Sequence, residues 1–152
     1  MKKIVLNACG VKSLGGLKLF LESFDFFSKT DSKIFVLYSE VEFYKDLNNQ
    51  FYENPRVKFY KTTNKRYLHP FLNYFLPTKI LEEINNSDAI VHFGNFGFKT
   101  LKKSFVLIQN ILPLVKKGIR NSILKLLINR SMNLSNFIPV SYTHLTLPTI
   151  LL

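Results

Sequence analysis

Apolar positions along the chain follow two spacings, one typical of buried strands and one typical of helices. Short apolar, β-branched runs at Lys2 to Ala8 (KKIVLNA) and at 33–38 (KIFVLY) predict two buried strands. Between them, apolar residues recur at i, i+3, i+4, i+7 and i+10, which predicts a helix with one apolar face against a sheet. These residues are Leu17, Phe20, Leu21, Phe24 and Phe27.

The same alternation continues to residue 130. In the aromatic segment 67–75 we expect a helix after Pro70, and Pro77 suits the first turn of another helix. The remaining strands are expected at 55–61, 88–93 and 104–109, and the remaining helices at 42–49 and 116–130. Strands alternating with helices predict an α/β fold, in which a Rossmann-like parallel sheet is flanked by helices on both faces.

Composition restricts the class of protein. The 152 residues are 47% apolar, which suits one domain with a buried core. A single cysteine rules out a disulfide framework and a cysteine-based zinc site. The start MKKIVLNACG lacks the long apolar run of a signal peptide, and no stretch of about 18 apolar residues occurs. We therefore expect a cytoplasmic protein.

Positive charge is concentrated in the second part of the chain. Residues 1–53 have no net charge, so the whole excess of +11 lies between Arg56 and Arg130. Such asymmetry indicates a surface that faces a partner. The alternative is a coding bias towards AT-rich codons, because 17 of the 21 basic residues are lysine.

The last residues do not continue the pattern. Residues 140–149 read VSYTHLTLPT, carry no charge and fit no predicted element. They resemble the transposase adapter of short-read sequencing translated in one frame, and Pro139 fits the same frame. We therefore expect a truncated gene, with residues 1–138 forming an incomplete domain and residues 139–152 a non-native tail. A native C-terminal strand is the alternative.

Three glycines, Gly10, Gly15 and Gly16, lie between the first strand and the first predicted helix. Backbone N–H groups at the positive end of a helix dipole can bind an anion. The spacing is neither a Walker A loop nor a G-x-G-x-x-G dinucleotide site. The loop thus indicates phosphate binding without specifying ATP or NAD, and a tight turn alone is the other interpretation.

Candidate catalytic residues are few. His92 lies in a predicted strand near its carboxyl end, where a ligand crevice opens, and is either a buried, hydrogen-bonded residue or a crevice residue. We expect His69 to be a surface or packing residue and Cys9 a small buried one. No Ser/His/Asp set or metal-ligand set can be assembled, so no catalytic residue and no metal are predicted.

Taken in order, these segments resemble the N-terminal half of a retaining GT-B glycosyltransferase of family 4. The similarity covers residues 1 to about 138. It rests on KKIVLNACGVKSLGGLKLFLES, on IVHFGNFGFKTLKKSFVLIQNILPL and on their separation. It implies the N-terminal, acceptor-side domain of a GT-B fold, in which Gly15 and Gly16 approach the diphosphate of a nucleotide-sugar donor.

The resemblance also implies acceptor-side residues. Four positions fall in segments similar to the family's acceptor loops: His92, Asn95, Gln109 and Asn110. Many relatives have a histidine where this chain has Gln109, which argues against a catalytic role for that position.

The implied parent enzyme transfers a sugar from a nucleotide-sugar to a glycan or lipid-linked acceptor in surface polysaccharide synthesis. It needs no cofactor or metal, since the nucleotide-sugar is a substrate. A second Rossmann-like domain would be missing from this chain, which would then be inactive alone. Basic residues 56–130, interleaved with aromatic residues in KRYLHPFLNYFLPTK, would suit peripheral attachment to the anionic inner face of a membrane.

Two other functions stay open at this point. One is a basic nucleic-acid-binding module, although no nucleic-acid-binding motif is recognisable and nucleic acid is not the expected partner. The other is a different phosphate-binding Rossmann-like enzyme.

Overall fold

A computed structural model describes residues 1–11, 14–39, 54–108, 117–134 and 140–141. In that part of the chain, six strands form one sheet in the order β3-β2-β1-β4-β5-β6, and every neighbouring pair is parallel. The strands are β1 (Lys2–Asn7), β2 (Ser32–Tyr38), β3 (Val57–Lys61), β4 (Ala89–Phe93), β5 (Lys103–Ile108) and β6 (Val140–Ser141).

Helical segments lie between β1 and β2, between β3 and β4, and between β5 and β6. The helices are α1 (Leu14–Ser28), α2 (Thr78–Asn85) and α3 (Ile119–Leu134), together with a 3-10 helix at Arg66–Tyr74. Parallel neighbours need crossover connections, and this strand order is that of a doubly wound sheet. The predicted α/β fold with a Rossmann-like, helix-flanked parallel sheet is confirmed.

One face of the sheet is covered by α1. Phe20 and Phe24 are buried against Ile4, Leu6 and their neighbours, and the ring of Phe20 meets that of Phe93 edge-on at 5.4 Å between centroids. The predicted apolar face of this helix is therefore confirmed. Edge-to-face aromatic pairs add to the stabilisation that burial itself provides.

The opposite face is covered by the 3-10 helix, α2 and α3. Leu72, Leu76 and Ile84 pack against a buried strand surface that includes Val5, Phe35 and Ile90. Further along the sheet, Ile128 of α3 packs on Val106 of β5. Both faces of the central strands are therefore buried, which explains their nearly continuous apolar sequence.

Arg130 links α3 to the 3-10 helix. Its guanidinium donates to the backbone oxygen of Pro70 at 2.8 Å and lies 4.6 Å from the centre of the Phe71 ring. A guanidinium over an aromatic face is attracted by the ring quadrupole. The two helices consequently form one surface on this side of the sheet.

Two helices differ from their predicted bounds. The helical segment expected after Pro70 is present, but it begins earlier: the 3-10 helix starts at Arg66, and the N–H of Leu68 donates to the carbonyl of Lys65. Helix α3 runs beyond the predicted end at residue 130, and the Ser131 hydroxyl lies within hydrogen-bonding distance of the carbonyls of Leu127 and Gly97. The helix expected at 42–49 lies outside the described residues.

Residues Val140 and Ser141 pair with Leu107 and Ile108 at the edge of the sheet. The rest of 139–152 lies outside the described residues. The division into a 1–138 domain and a non-native tail stays a prediction. No helix in the described ranges is long and apolar enough to cross a membrane.

Candidate functional site

The strand order reverses between β1 and β4. The chain passes from β1 to β2 on one side of β1, and β4 and β5 lie on the other side. In open α/β sheets, ligands bind outside the carboxyl ends of the strands at such a switch point. The candidate site is therefore built from the residues that follow β1 and β4, together with the first turn of α1.

Gly10 and Gly94 meet at this point, backbone against backbone. A Cβ atom on Gly10 would lie 3.0 Å from the carbonyl oxygen of Phe93, and one on Gly94 would lie 3.1 Å from Cα of Gly10. Gly94 also has a φ of +106°, a backbone angle that residues with a side chain rarely adopt. At the switch point, the edge of the sheet where the carboxyl ends of the strands lie is therefore lined by backbone atoms. The sequence signal for Gly94 is a glycine directly after an apolar strand.

Gly15 and Gly16 occupy the first turn of α1, which begins at Leu14. The prediction that both glycines lie in the loop before the helix is therefore wrong. Gly16 is buried. The pair still follows the carboxyl end of β1 in the chain. The first turn of a helix carries the positive end of its dipole, so an anion is favoured there. Their contact with a diphosphate stays a prediction.

His92 is fully buried in the middle of the sheet, with 0% of its surface exposed. Its Nδ1 lies 2.8 Å from Nδ2 of Asn7 on β1, and its Nε2 lies 3.0 Å from the hydroxyl oxygen of Ser104 on β5. Three adjacent strands are therefore joined by one row of polar side chains. We call Asn7, His92 and Ser104 the sheet triad.

Hydrogen bonding within the sheet triad determines the tautomer of His92. Oδ1 of Asn7 accepts from the N–H of Cys9 at 3.2 Å, so its Nδ2 is the atom that donates to the imidazole. Nδ1 of His92 then accepts, and Nε2 carries the proton and donates to Ser104.

Burial lowers the pKa of His92 to about 3, so the ring is neutral at physiological pH. Phe98 packs edge-on against the ring at 4.9 Å between centroids. Of the two sequence-based interpretations, the structure matches the buried, hydrogen-bonded histidine. The ring supports β4 from within the sheet.

The other acceptor-side candidates fall in two places. Asn95 is half-buried in the loop after β4, next to Gly94 and hence beside Gly10. Gln109 and Asn110 lie outside the described residues. The described part of the site therefore brings Gly10, Gly94 and Asn95 together at one edge.

Polar side chains also fix the ends of the first three strands. The hydroxyl of Thr62 donates to the carbonyl of Tyr38 at 3.1 Å, so the thiol of Cys9, 2.9 Å away, is the donor to Thr62. The hydroxyl of Ser39 donates to the carbonyl of Cys9 at 2.9 Å. The predicted burial of Cys9 is confirmed. Burial raises the pKa of its thiol to about 12.

Sequence reasoning missed several of these polar residues. Asn7, Ser39 and Thr62 each stand at or just beyond the end of an apolar run, and that common position is the signal that could have found them. His69, expected at the surface or in packing, is buried, and its Nε2 lies 3.0 Å from the carbonyl of Thr63.

Cys9 and His92 are both buried and neutral at pH 7. Within residues 1–11, 14–39, 54–108, 117–134 and 140–141, no group of three His, Cys, Asp or Glu residues could hold a metal ion. The edge presents backbone groups at Gly10 and Gly94, and Asn95 follows them in the chain, which suits an anionic or hydroxyl-bearing ligand.

Comparisons of the chain with models of known protein families, with curated proteins and with solved structures gave no match.

Proposed function

We propose that the chain is the N-terminal, acceptor-side domain of a retaining GT-B glycosyltransferase. One observation carries the proposal furthest: the glycine contact between Gly10 and Gly94 gives the switch point a backbone lining, and the chain continues from Gly10 into the glycine-bearing first turn of α1. A diphosphate needs such close approach to backbone N–H groups, and the helix dipole favours its negative charge.

Each part of this edge has a role in the proposed reaction. Gly15 and Gly16 approach the donor diphosphate, since a glycine leaves room for phosphate oxygens near the helix. The amide of Asn95 bonds to hydroxyl groups of the acceptor, together with Gln109 and Asn110. The sheet triad holds β4 in register and thereby positions the Gly94–Asn95 loop.

The parent enzyme then transfers a sugar from a nucleotide-sugar to a glycan or lipid-linked acceptor in surface polysaccharide synthesis. A second Rossmann-like domain would supply most of the nucleotide contacts and close the cleft over the donor. That second domain would hold donor and acceptor against each other, which the transfer requires.

A membrane-facing surface belongs to the same proposal. The 3-10 helix exposes Tyr67 and Tyr74, and α3 exposes Ile119, Ile123 and Leu126. Neither helix contains an acidic residue, and both carry arginine. Apolar side chains among cations suit the interface of an anionic bilayer, so the enzyme would work at the inner face of the membrane.

Liposome sedimentation tests the membrane part. We expect the chain to pellet with vesicles that contain anionic lipid, and we expect salt to release it. Equal binding to neutral vesicles, or binding unaffected by salt, would contradict this part of the proposal.

The genomic locus tests the truncation. We expect the reading frame to continue past Ile138 with residues unrelated to VSYTHLTLPT and to encode a second α/β domain. A natural stop codon after Leu152 would contradict it. A second domain of a different class would favour another phosphate-binding enzyme.

A transfer assay on the full-length enzyme tests the donor site. The variant Gly15→Asp places a carboxylate in the first turn of α1, where it repels a diphosphate, and should raise KM for the nucleotide-sugar. Thr78→Asp is the matched control, because it adds a carboxylate at the exposed first residue of α2. If both variants changed donor KM equally, the first turn of α1 would not be the diphosphate site.

A further inference from the structure

A basic pocket lies at the other edge of the sheet, where β1, β2 and β3 begin. It is a cavity of about 340 Å³, and its lining includes four cations and one carboxylate: Lys3, Lys33, Arg56, Lys58 and Glu83. Ligand pockets in proteins start at roughly 300 Å³. We call this cavity the amino-edge pocket.

Strand register explains why the four cations share one face. Lys3 pairs with Lys33 across β1 and β2. Phe35 pairs with Lys58 across β2 and β3, so Arg56, two residues earlier, stands beside Lys33. Side chains alternate between faces with a period of two, so the three lysines point to the face that α2 covers, and Arg56, in the turn before β3, lines the same pocket.

The carboxylate in the pocket is already engaged. Glu83 of α2 forms ion pairs with Lys3 and, at 3.5 Å, with Lys58. The hydrogen bond from Lys3 holds the pKa of this carboxyl below its usual value. A single carboxylate thus serves two of the four cations that line the pocket.

The other two cations have little compensation. Arg56 lies 3.6 Å from Asp31, but both side chains are more than half exposed, at 53% and 74%, so solvent screens the pair. Lys33 is exposed and makes no ion pair with the residues that the structure describes. Like charges on neighbouring strands destabilise a sheet, and a bound anion would relieve that repulsion.

We infer that the amino-edge pocket binds a small polyanion of the size of a diphosphate, with Lys33 and Arg56 as its main contacts. The Lys3–Glu83 pair forms the floor and keeps Lys3 in place. The six residues of β1 separate this pocket from the glycine crevice by about 20 Å, so the two sites are distinct. The inference does not rest on the glycosyltransferase proposal.

The experiment is an NMR titration of the chain with inorganic pyrophosphate at constant ionic strength. We expect the backbone amide signals of residues 33, 34, 56 and 57 to shift. The double variant K33Q/R56Q should weaken binding about tenfold or more, because it removes the charged donors. The double variant K18Q/K125Q removes the same charge from exposed lysines elsewhere and should leave the affinity unchanged.

A third variant tests whether the net charge of the pocket determines how tightly pyrophosphate binds. Replacing Glu83 by Gln removes the competing carboxylate and should tighten pyrophosphate binding about threefold or more. Shifts confined to residues 10, 15 and 16 would place the ligand in the glycine crevice and overturn the inference. Equal weakening by K18Q/K125Q, or equal affinity for inorganic phosphate, would overturn it too.

Discussion

Asn7 and His92 are 85 residues apart in sequence, yet the amide nitrogen of Asn7 lies 2.8 Å from Nδ1 of the imidazole. They are register partners on β1 and β4. Both are buried, so neither can exchange this bond for water. The contact joins the two halves of the sheet at the point where the candidate crevice opens.

Removing the Ser104 hydroxyl should destabilise the fold. Ser104→Ala leaves the Nε2–H of His92 buried without its acceptor, at a cost of about 1–3 kcal/mol in the free energy of unfolding. Urea denaturation measures this cost. Ser28→Ala is the control, since its hydroxyl bonds to the Asp25 carbonyl at the protein surface. A loss no larger than that of the control would contradict the role of the sheet triad.

Stability should fall as the pH falls below about 6.5. The pKa of His92 is lowered from 6.5 to about 3 by burial, so between these values the unfolded state binds a proton that the folded state does not. The contribution of neutral His92 to the free energy of unfolding is complete above pH 6.5 and is lost progressively as the pH falls towards 3. Between pH 7 and pH 5 it amounts to about 2 kcal/mol.

Urea denaturation at several pH values measures this loss. The variant His92→Gln keeps every other titratable group and serves as the reference. Between pH 7 and pH 5, its free energy of unfolding should fall by about 2 kcal/mol less than that of the unaltered chain. Identical pH dependence of the two proteins would show that His92 is not buried in its neutral form.

The thiol of Cys9 should be inert in the folded protein. Burial raises its pKa from 9.0 to about 12, which lowers the thiolate fraction at pH 8 about a thousandfold. The sequence has one cysteine, so labelling by a thiol reagent reports on this residue alone. We expect fast labelling in urea and very slow labelling without it. Similar rates in both conditions would contradict the burial.

Gly94→Ala should destabilise the protein more than Gly118→Ala. Both glycines have positive φ, +106° and +126°, so both variants carry a conformational cost of about 1–3 kcal/mol. Only at Gly94 would the added methyl group also press on Gly10, whereas at Gly118 the nearest atom is 4.0 Å away. Thermal or urea unfolding of the two variants isolates the contact. Equal losses would mean that the two loops can move apart.

The sequence predicts the sheet well because its signals are local. Strands β1 and β2 are short apolar runs, and α1 has an apolar face of regular spacing, so each follows from its own residues. The sheet class also follows, since strands alternating with helices permit few arrangements. The 3-10 helix begins before the proline after which the sequence predicts helix, because proline is a poor guide where no i→i−4 bond is needed.

The candidate site could be predicted only in part. The glycines and His92 stand out by residue type. Their actual partners do not, because Asn7, Ser104 and Gly94 acquire meaning only when distant strands meet. The amino-edge pocket depends on strand register for the same reason: Lys3, Lys33 and Arg56 are unremarkable in sequence and become neighbours through parallel pairing.

The central position of β1 affects how the chain is made. Its partner β2 follows within 40 residues, but β4, which covers its other edge, ends only at Phe93. At about 5–20 residues per second, a ribosome needs several seconds to supply that strand. During this time the nascent chain carries an open, apolar strand edge with an unpaired Asn7 amide. Newly made chains are therefore most prone to aggregation, and most in need of a chaperone, before β4 emerges.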